Sequence, residues 1–302
     1  MRIVVHGQQA FGRAVLEKLL DRNEDIVAVC TAPDKEGRPL DPLKELAVER
    51  GLEVHQPASW KTPEALELMK SFEADVCMMA YVLLFVPEAV LYAPRLGSFQ
   101  YHPSLLPMHR GPSSINWPIA MGAKETGLTI FWPDDGLDEG PILMQKTCEV
   151  GPDETLGDVY FKKLFPMGVD AMIESLDLLK EGKAPRIEQN LDEGSYESWF
   201  GKEQARLDWS KGVDQVYNTI RAANPQPGAW TMHGEAELKV FDSRRESGSG
   251  KPGEVLEAGD EGILVAAGDG AVRITRVRAD AGKVPAGEYV STSGLAVGDV
   301  LV

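Results

Sequence analysis

No run of eighteen or more apolar residues occurs in this 302-residue chain, so no segment is expected to cross a bilayer as a helix. Cysteine is nearly missing. The three present, Cys30, Cys77 and Cys148, lie far apart inside apolar runs without the spacing of a zinc site, and they read as reduced core residues. Positive charge is the scarcer sign: 31 Lys and Arg stand against 47 Asp and Glu, for a formal net charge of −16. Nucleic-acid affinity comes largely from Lys and Arg neutralising phosphates, so this balance argues against a phosphate backbone as the main partner. No internal repeat is present. Met1 to Gly7 already reads as a strand and turn, too short for a secretory signal, and the expected setting is the cytoplasm.

The 43% apolar content and the length suit two domains, each with a core of its own. The opening strand, Ile3 to His6, runs into Gly7-Gln8-Gln9-Ala10-Phe11-Gly12 and a helix with Val15, Leu16, Leu19 and Leu20 on one face. A dinucleotide fingerprint needs Gly-x-Gly-x-x-Gly, and Gln9 stands where the middle glycine belongs, so no nicotinamide is expected. A second strand spans Ile26 to Cys30, before a loop that sets Lys35 and Arg38 against Asp34, Glu36 and Asp41. Asp75 to Tyr81 reads as a buried parallel strand, and Val82 to Pro87 as an apolar loop after it. Helical spacing runs from Thr155 to Glu181, and residues 189–204, rich in Asp, Glu, Ser and Gly, read as a linker.

From about Ala205 the texture changes. A helix (Val213 to Arg221) precedes short strands at Leu238 to Phe241, Gly253 to Glu257, Gly262 to Ala266 and Val272 to Val277, with glycine turns between them, which is the pattern of a small β-barrel. This half carries 11 Lys and Arg against 14 Asp and Glu, leaving most of the negative charge in the first half. Arg273, Arg276 and Arg278 cluster on one strand. Arg276 and Arg278, at alternate positions, share a face that reads as solvated.

The chain is organised around Gly97 to Gln145. Gly97-Ser98-Phe99-Gln100-Tyr101-His102-Pro103-Ser104-Leu105-Leu106-Pro107 is a strand that stops at a histidine, because Pro103 cannot donate to the ladder and Pro107 fixes φ again. In open α/β sheets that edge is where ligands bind. An acidic, turn-rich loop, Trp132 to Leu143, supplies a carboxylate: Asp138 follows His102 by 36 residues. A helix (Ser113 to Met121) and a strand (Leu128 to Phe131) fill that interval, enough chain to cross the sheet and return to the same edge. Asp134, Asp135 and Glu139 cluster with Asp138 but lack the ligand spacing of a calcium-binding hand, so no metal is expected.

These residues resemble the 10-formyltetrahydrofolate-dependent formyltransferases, whose signature is Asn-x-His-Pro-Ser-Leu-Leu-Pro followed by a Leu-Asp-x-Gly loop. Here the two stand as Gln100-Tyr101-His102-Pro103-Ser104-Leu105-Leu106-Pro107 and Leu137-Asp138-Glu139-Gly140. Over nearly the whole chain, including Arg110-Gly111-Pro112-Ser113-Ser114-Ile115-Asn116-Trp117, the sequence looks most like the N-terminal hydrolase domain of 10-formyltetrahydrofolate dehydrogenase. The resemblance implies a Rossmann-like α/β catalytic domain with a mostly parallel sheet (1–188), the linker (189–204) and an OB-like β-barrel domain (205–302).

It further implies 10-formyltetrahydrofolate as formyl donor, with His102 and Asp138 catalytic and Gln100 at the third catalytic position. Transferases carry asparagine there and the hydrolase domain an apolar residue. Glutamine sets the amide one methylene further out, so it either reaches the formyl oxygen or misses it. The implied folate site takes in Tyr81, Val82, Leu83, Leu84, Phe85 and Val86, whose loop serves both core and pterin slot, together with Arg110, Gly111, Asp135, Gly136 and Leu137.

The chemistry fits these residue types. Moving a formyl group passes through a tetrahedral intermediate, in which a histidine can donate to the oxyanion while a carboxylate holds the imidazolium and assists proton removal from the nucleophile. The leading expectation is hydrolysis of the formyl group or its transfer to a small amine. Methionyl-tRNA formyltransferase is the alternative enzyme, although the loop of Lys35 and Arg38 is not basic and tRNA is not expected. A non-catalytic folate-binding or carrier-docking module is the alternative of another class. No aldehyde-dehydrogenase or carrier segment follows Val302 in this sequence, so the chain acts alone, serves a separate carrier or dehydrogenase partner, or is a fragment.

Overall fold

The computed structural model describes residues 1–279 and 282–302 and divides into two compact units, the first of 1–111, 127–148 and 163–196, the second of 112–126, 149–162 and 197–302. In chain order the elements through Lys180 are β1 (Arg2–Gly7), α1 (Gln9–Asp21), β2 (Asp25–Cys30), α2 (Pro42–Glu49), β3 (Val54–His55), α3 (Pro63–Ser71), β4 (Val76–Ala80), α4 (Glu88–Leu91), β5 (Ser98–His102), α5 (Asn116–Ala120), β6 (Glu125–Phe131), β7 (Ile142–Glu149), α6 (Leu156–Val159) and α7 (Phe165–Lys180). The strands form one sheet in the order β3-β2-β1-β4-β5-β6-β7, parallel from β3 through β5, with β6 antiparallel to β5. The expected Rossmann-like, mostly parallel sheet is what the chain forms. Its central strands are covered on both faces, which is why Ile3 to Val5 and Val76 to Ala80 are unbroken apolar runs and fully buried.

Helix starts are specified locally. Asp41 caps α2 by accepting from the Leu43 N–H at 2.9 Å, and Thr62 caps α3 by accepting from Ala65, each with a proline in the first turn. Strand order reverses between β1 and β4, where a Cβ on Gly7 would lie 2.2 Å from the Ala80 carbonyl oxygen. A Cβ on Gly12 would lie 3.1 Å from a Leu43 methyl, so packing accounts for both glycines. The single helix read over Thr155 to Glu181 is divided into α6, a π-helical turn (Tyr160–Leu164) and α7. Pro166 lies in the first turn of α7 and lacks the N–H that a continuous helix would need.

The second unit continues with α8 (Val213–Ala222), β8 (Ala229–His233), β9 (Ala236–Glu246), β10 (Val255–Gly259), β11 (Gly262–Ala266), β12 (Ala271–Ala279), β13 (Gly282–Pro285) and α9 (Ala286–Ser293). Its sheet is antiparallel, ordered β10-β11-β12-β9-β8, with β13 beside β12. Val300 bridges Glu254, just ahead of β10, while Leu301 bridges His233 at the end of β8, so one segment joins the two edges. Such closure removes the unpaired edges of the sheet. Gly253 permits the contact: its φ is +84° and a Cβ would sit 2.2 Å from the Leu301 carbonyl oxygen.

Candidate active site

His102 is the last residue of β5 and is 5% exposed. The proline loop beyond it is tied down from the neighbouring strands. Thr129, the register partner of His102 on β6, donates to the Ser104 carbonyl at 2.7 Å and accepts from the Leu106 N–H at 3.0 Å. The Gln145 amide donates to the Leu106 carbonyl at 2.8 Å. Held in this way, the loop returns the His109 carbonyl to the imidazole, where it lies 3.0 Å from Nε2 and also receives the Ser104 hydroxyl at 3.2 Å. A carbonyl only accepts, so Nε2 carries a proton and Nδ1 is the nitrogen left for chemistry. The ring meets Phe131 edge to face at 6.5 Å.

The acidic loop brings its carboxylate to that nitrogen. Asp138 Oδ2 lies 3.7 Å from His102 Nδ1, longer than a direct hydrogen bond. The same oxygen accepts from the Gly111 N–H at 2.9 Å, which leaves Oδ1 without a protein donor among the described residues. Other carboxylates of the loop serve the backbone: Asp134 accepts from the Gly136 N–H at 2.9 Å and Asp135 from the Glu88 N–H at 3.0 Å, at the start of α4. Arg110 pairs with Glu139. A Cβ on Gly140 would lie 1.9 Å from the Trp132 carbonyl oxygen, so only glycine closes the loop. Among the described residues no three His, Cys, Asp or Glu side chains are grouped to hold a metal ion.

Arg110, Gly111, Asp135, Gly136, Asp138 and His102 are thus joined through two loops, while Leu137 stands 54% exposed. Gln100 is half-buried on the face of β5 that His102 shares, two residues earlier, and its amide makes no hydrogen bond among the described residues. In the loop after β4, alternate residues have opposite fates. Tyr81, Leu83 and Phe85 are 41%, 59% and 51% exposed, whereas Val82 and Leu84 pack against the buried cluster that contains Val86. Core and exposed apolar surface are therefore supplied by different side chains of this one loop.

Thr129, Gln145, Gln189 and Ser195 carry no motif and were not singled out from the sequence, and Ser104 stood in the motif without a role of its own. Gln189 donates to the carbonyls of Asp138 (3.0 Å) and Gly140 (2.7 Å), and Ser195 accepts from the His109 N–H at 2.9 Å. Their only trace in the sequence is polarity at positions that turn out to lie beside backbone.

A buried imidazole and a carboxylate thus meet at the carboxyl edge of a doubly wound α/β sheet, the edge at which such sheets bind ligands. Residues 1–176 match the family described as "Formyl transferase", and residues 200–292 match "Formyl transferase, C-terminal domain". The chain belongs to the formyl transferase family. It is 38% identical over 310 residues to the cytosolic 10-formyltetrahydrofolate dehydrogenase of Xenopus tropicalis, covering 97% of this chain and 34% of that protein. It thus spans about a third of that relative's length. It is 36% identical over 307 residues to the methionyl-tRNA formyltransferase of Trichlorobacter lovleyi, covering 100% of this chain and 97% of that protein. A crystal structure of HypX from Aquifex aeolicus in complex with tetrahydrofolic acid shares the fold, with a TM-score of 0.70 and 21% identity over 99% of this chain and 48% of that one. No described helix is long and apolar enough to cross a membrane.

Proposed function

We propose that this chain binds 10-formyltetrahydrofolate and removes its formyl group, to water or a small amine, through a tetrahedral intermediate formed at His102 and Asp138. The observation that carries the reading is the pairing of those two side chains, 3.7 Å apart, with the imidazole proton on Nε2 already committed to a backbone carbonyl. In the proposed reaction the nucleophile adds to the formyl carbon and gives its proton to the open Oδ1 of Asp138. The Asp138 carboxylate holds His102 as an imidazolium before attack, and the Nδ1–H donates to the oxyanion as that charge develops. Collapse breaks the bond to the folate nitrogen, which leaves with the proton as tetrahydrofolate, and the formyl group departs as formate or as an N-formyl amine. One donor aimed at an oxyanion typically contributes a factor on the order of 10²–10³ in rate.

Gln100 enters as a second donor to the same oxygen, since its amide is on the face of His102 and has no protein partner among the described residues. Tyr81, Leu83 and Phe85 offer apolar surface for the pterin ring, with Val82, Leu84 and Val86 anchoring their loop. Arg110, Gly111, Asp135, Gly136 and Leu137 border the formyl end. The names of the dehydrogenase relative and of the tetrahydrofolate-bound neighbour support folate as the donor. A cytoplasmic setting and the absence of a resident metal or nicotinamide belong to the same proposal.

Transfer to methionyl-tRNA is a second reading, favoured by a relative of that name matched along 97% of its length. Lys239, Arg278 and Lys283 stand in register across β9, β12 and β13 without a salt bridge among the described residues, and Lys283 Nζ lies 3.7 Å from the Phe241 ring centroid. The neighbouring arginines are neutralised, Arg273 by Glu246 and Glu257 and Arg276 by Asp242. Incubation with labelled 10-formyltetrahydrofolate and water alone, a small amine, or methionyl initiator tRNA separates the readings by where the label appears. Label in formate or a formamide supports the first, and label in tRNA at a rate exceeding both replaces it with the second.

A further inference from the structure

The segment from Ile187 to Tyr196 touches both loops of the site. Ile187 exchanges backbone hydrogen bonds with Ile142 at 2.8 and 3.0 Å, at the start of β7. Two residues on, the Gln189 amide reaches the carbonyls of Asp138 and Gly140. The segment then turns at Asn190 to Gly194, and a Cβ on Gly194 would lie 2.6 Å from the Pro107 carbonyl oxygen. Ser195 follows with four bonds to the histidine loop, one of them from the Arg110 Nε–H to its carbonyl at 3.4 Å. Its N–H donates to Pro107 at 3.1 Å, its hydroxyl accepts from His109 at 2.9 Å, and its carbonyl accepts from the Arg110 N–H at 3.0 Å.

These contacts fall on the non-glycine residues of the histidine loop and the acidic loop that have left-handed backbones. Asp138 has φ +58° and His109 has φ +56°. An L-residue rarely holds that conformation unless its surroundings fix it, and such residues gather at functional sites. Here Gln189 holds the carbonyl of Asp138, and Ser195 holds the N–H of the residue whose carbonyl orients His102 Nε2. Both carbonyls facing Gln189 can only accept, so its NH2 must point at them. Its Oε1 is buried without a partner among the described residues, so those two carbonyls dictate the orientation.

We infer that residues 187–196 are a strap that sets the distance and angle between His102 and Asp138, with Gln189 and Ser195 as positioning residues for the proposed deformylation. The inference rests on His102 and Asp138 being the catalytic pair. A strap of this kind acts on the chemical step and not on folate affinity, because neither residue belongs to the proposed pterin surface. It also has a pH signature. In Gln189→Glu, a carboxylate of the same shape faces two carbonyl oxygens and repels them, and burial among acceptors raises its pKa. On acidification the carboxyl regains one donor to the same carbonyls.

The test measures tetrahydrofolate release from 10-formyltetrahydrofolate by the wild type, Gln189→Glu, Ser195→Ala and His102→Ala across a pH series, each variant first checked for a cooperative thermal melt. We expect Gln189→Glu and Ser195→Ala to lower kcat about tenfold or more near neutral pH, with KM changed by less than about threefold. The ratio of Gln189→Glu to wild-type kcat should rise several-fold as the pH falls to about 5.5. A ratio that stays flat, or wild-type kcat in both strap variants while His102→Ala is inactive, overturns the strap. Should Gln189→Glu fail to melt cooperatively, the split between kcat and KM in Ser195→Ala decides. Wild-type turnover in His102→Ala is the separate failure, that of the catalytic pair itself.

Discussion

Gln100 and His102 are two residues apart on β5 and point the same way, yet only the histidine is tied to the protein. Because the glutamine amide has no protein partner to lose among the described residues, Gln100→Leu should leave the melting temperature nearly unchanged. If the amide binds the formyl oxygen, kcat and kcat/KM should fall together by up to about 10²-fold, and Gln100→Asn should keep activity. Full turnover in the leucine variant would show that His102 and Asp138 act without it. A second histidine has a different consequence. His6 on β1 is 3% exposed with Nδ1 unpartnered among the described residues, and burial lowers its pKa from 6.5 to about 3. The folded chain therefore keeps the ring neutral while the unfolded chain protonates it, so stability falls as pH drops from 6.5 toward about 3, by roughly 1.4 kcal/mol per pH unit. Denaturant titrations at several pH values should show a shallower acid limb in His6→Leu, and an identical limb would contradict the assignment.

The strand that ends at His102 was legible because two prolines bracket its exit, and the loop of Asp138 because acids and glycines break two apolar runs. In the loop after β4, six apolar residues in a row give no hint of which face the solvent, and only packing against the buried cluster separates Val82, Leu84 and Val86 from Tyr81, Leu83 and Phe85. Leu83→Ser and Phe85→Ser should weaken folate binding with little change in stability, whereas Leu84→Ser should cost about 1–3 kcal/mol of stability. Equal effects on binding and melting in all three would argue against the division. Backbone-directed side chains were equally silent in the sequence. Thr129 is a buried strand threonine like any other until its hydroxyl is seen between Ser104 and Leu106. Thr129→Val should cost about 1–3 kcal/mol by leaving those groups unpaired, read by chemical denaturation. β9 was read as four residues and runs for eleven, since its second half carries charges that pair across the sheet, Glu246 with Arg273 among them, in place of an apolar alternation.

For the molecule as a whole, the family resemblance implied the mostly parallel sheet, while short strands with glycine turns marked a second, β-rich domain. Closure through Val300 and Leu301 left no mark in the sequence, because bridging is a backbone act at residues of ordinary type. The charge of −16 disfavours phosphate partners overall, so tRNA binding through Lys239, Arg278 and Lys283 should be weak and lost between about 50 and 200 mM salt. Sub-micromolar affinity that survives physiological salt would promote the tRNA reading. The most direct measurement is the rate of tetrahydrofolate formation from 10-formyltetrahydrofolate by the wild type, His102→Ala and Asp138→Ala, each shown to melt cooperatively. The account predicts formation by the wild type and a loss of at least about 10²-fold in each variant. A folded variant that keeps the wild-type rate, or a wild type that forms no tetrahydrofolate with water, amine or tRNA as acceptor, would contradict it.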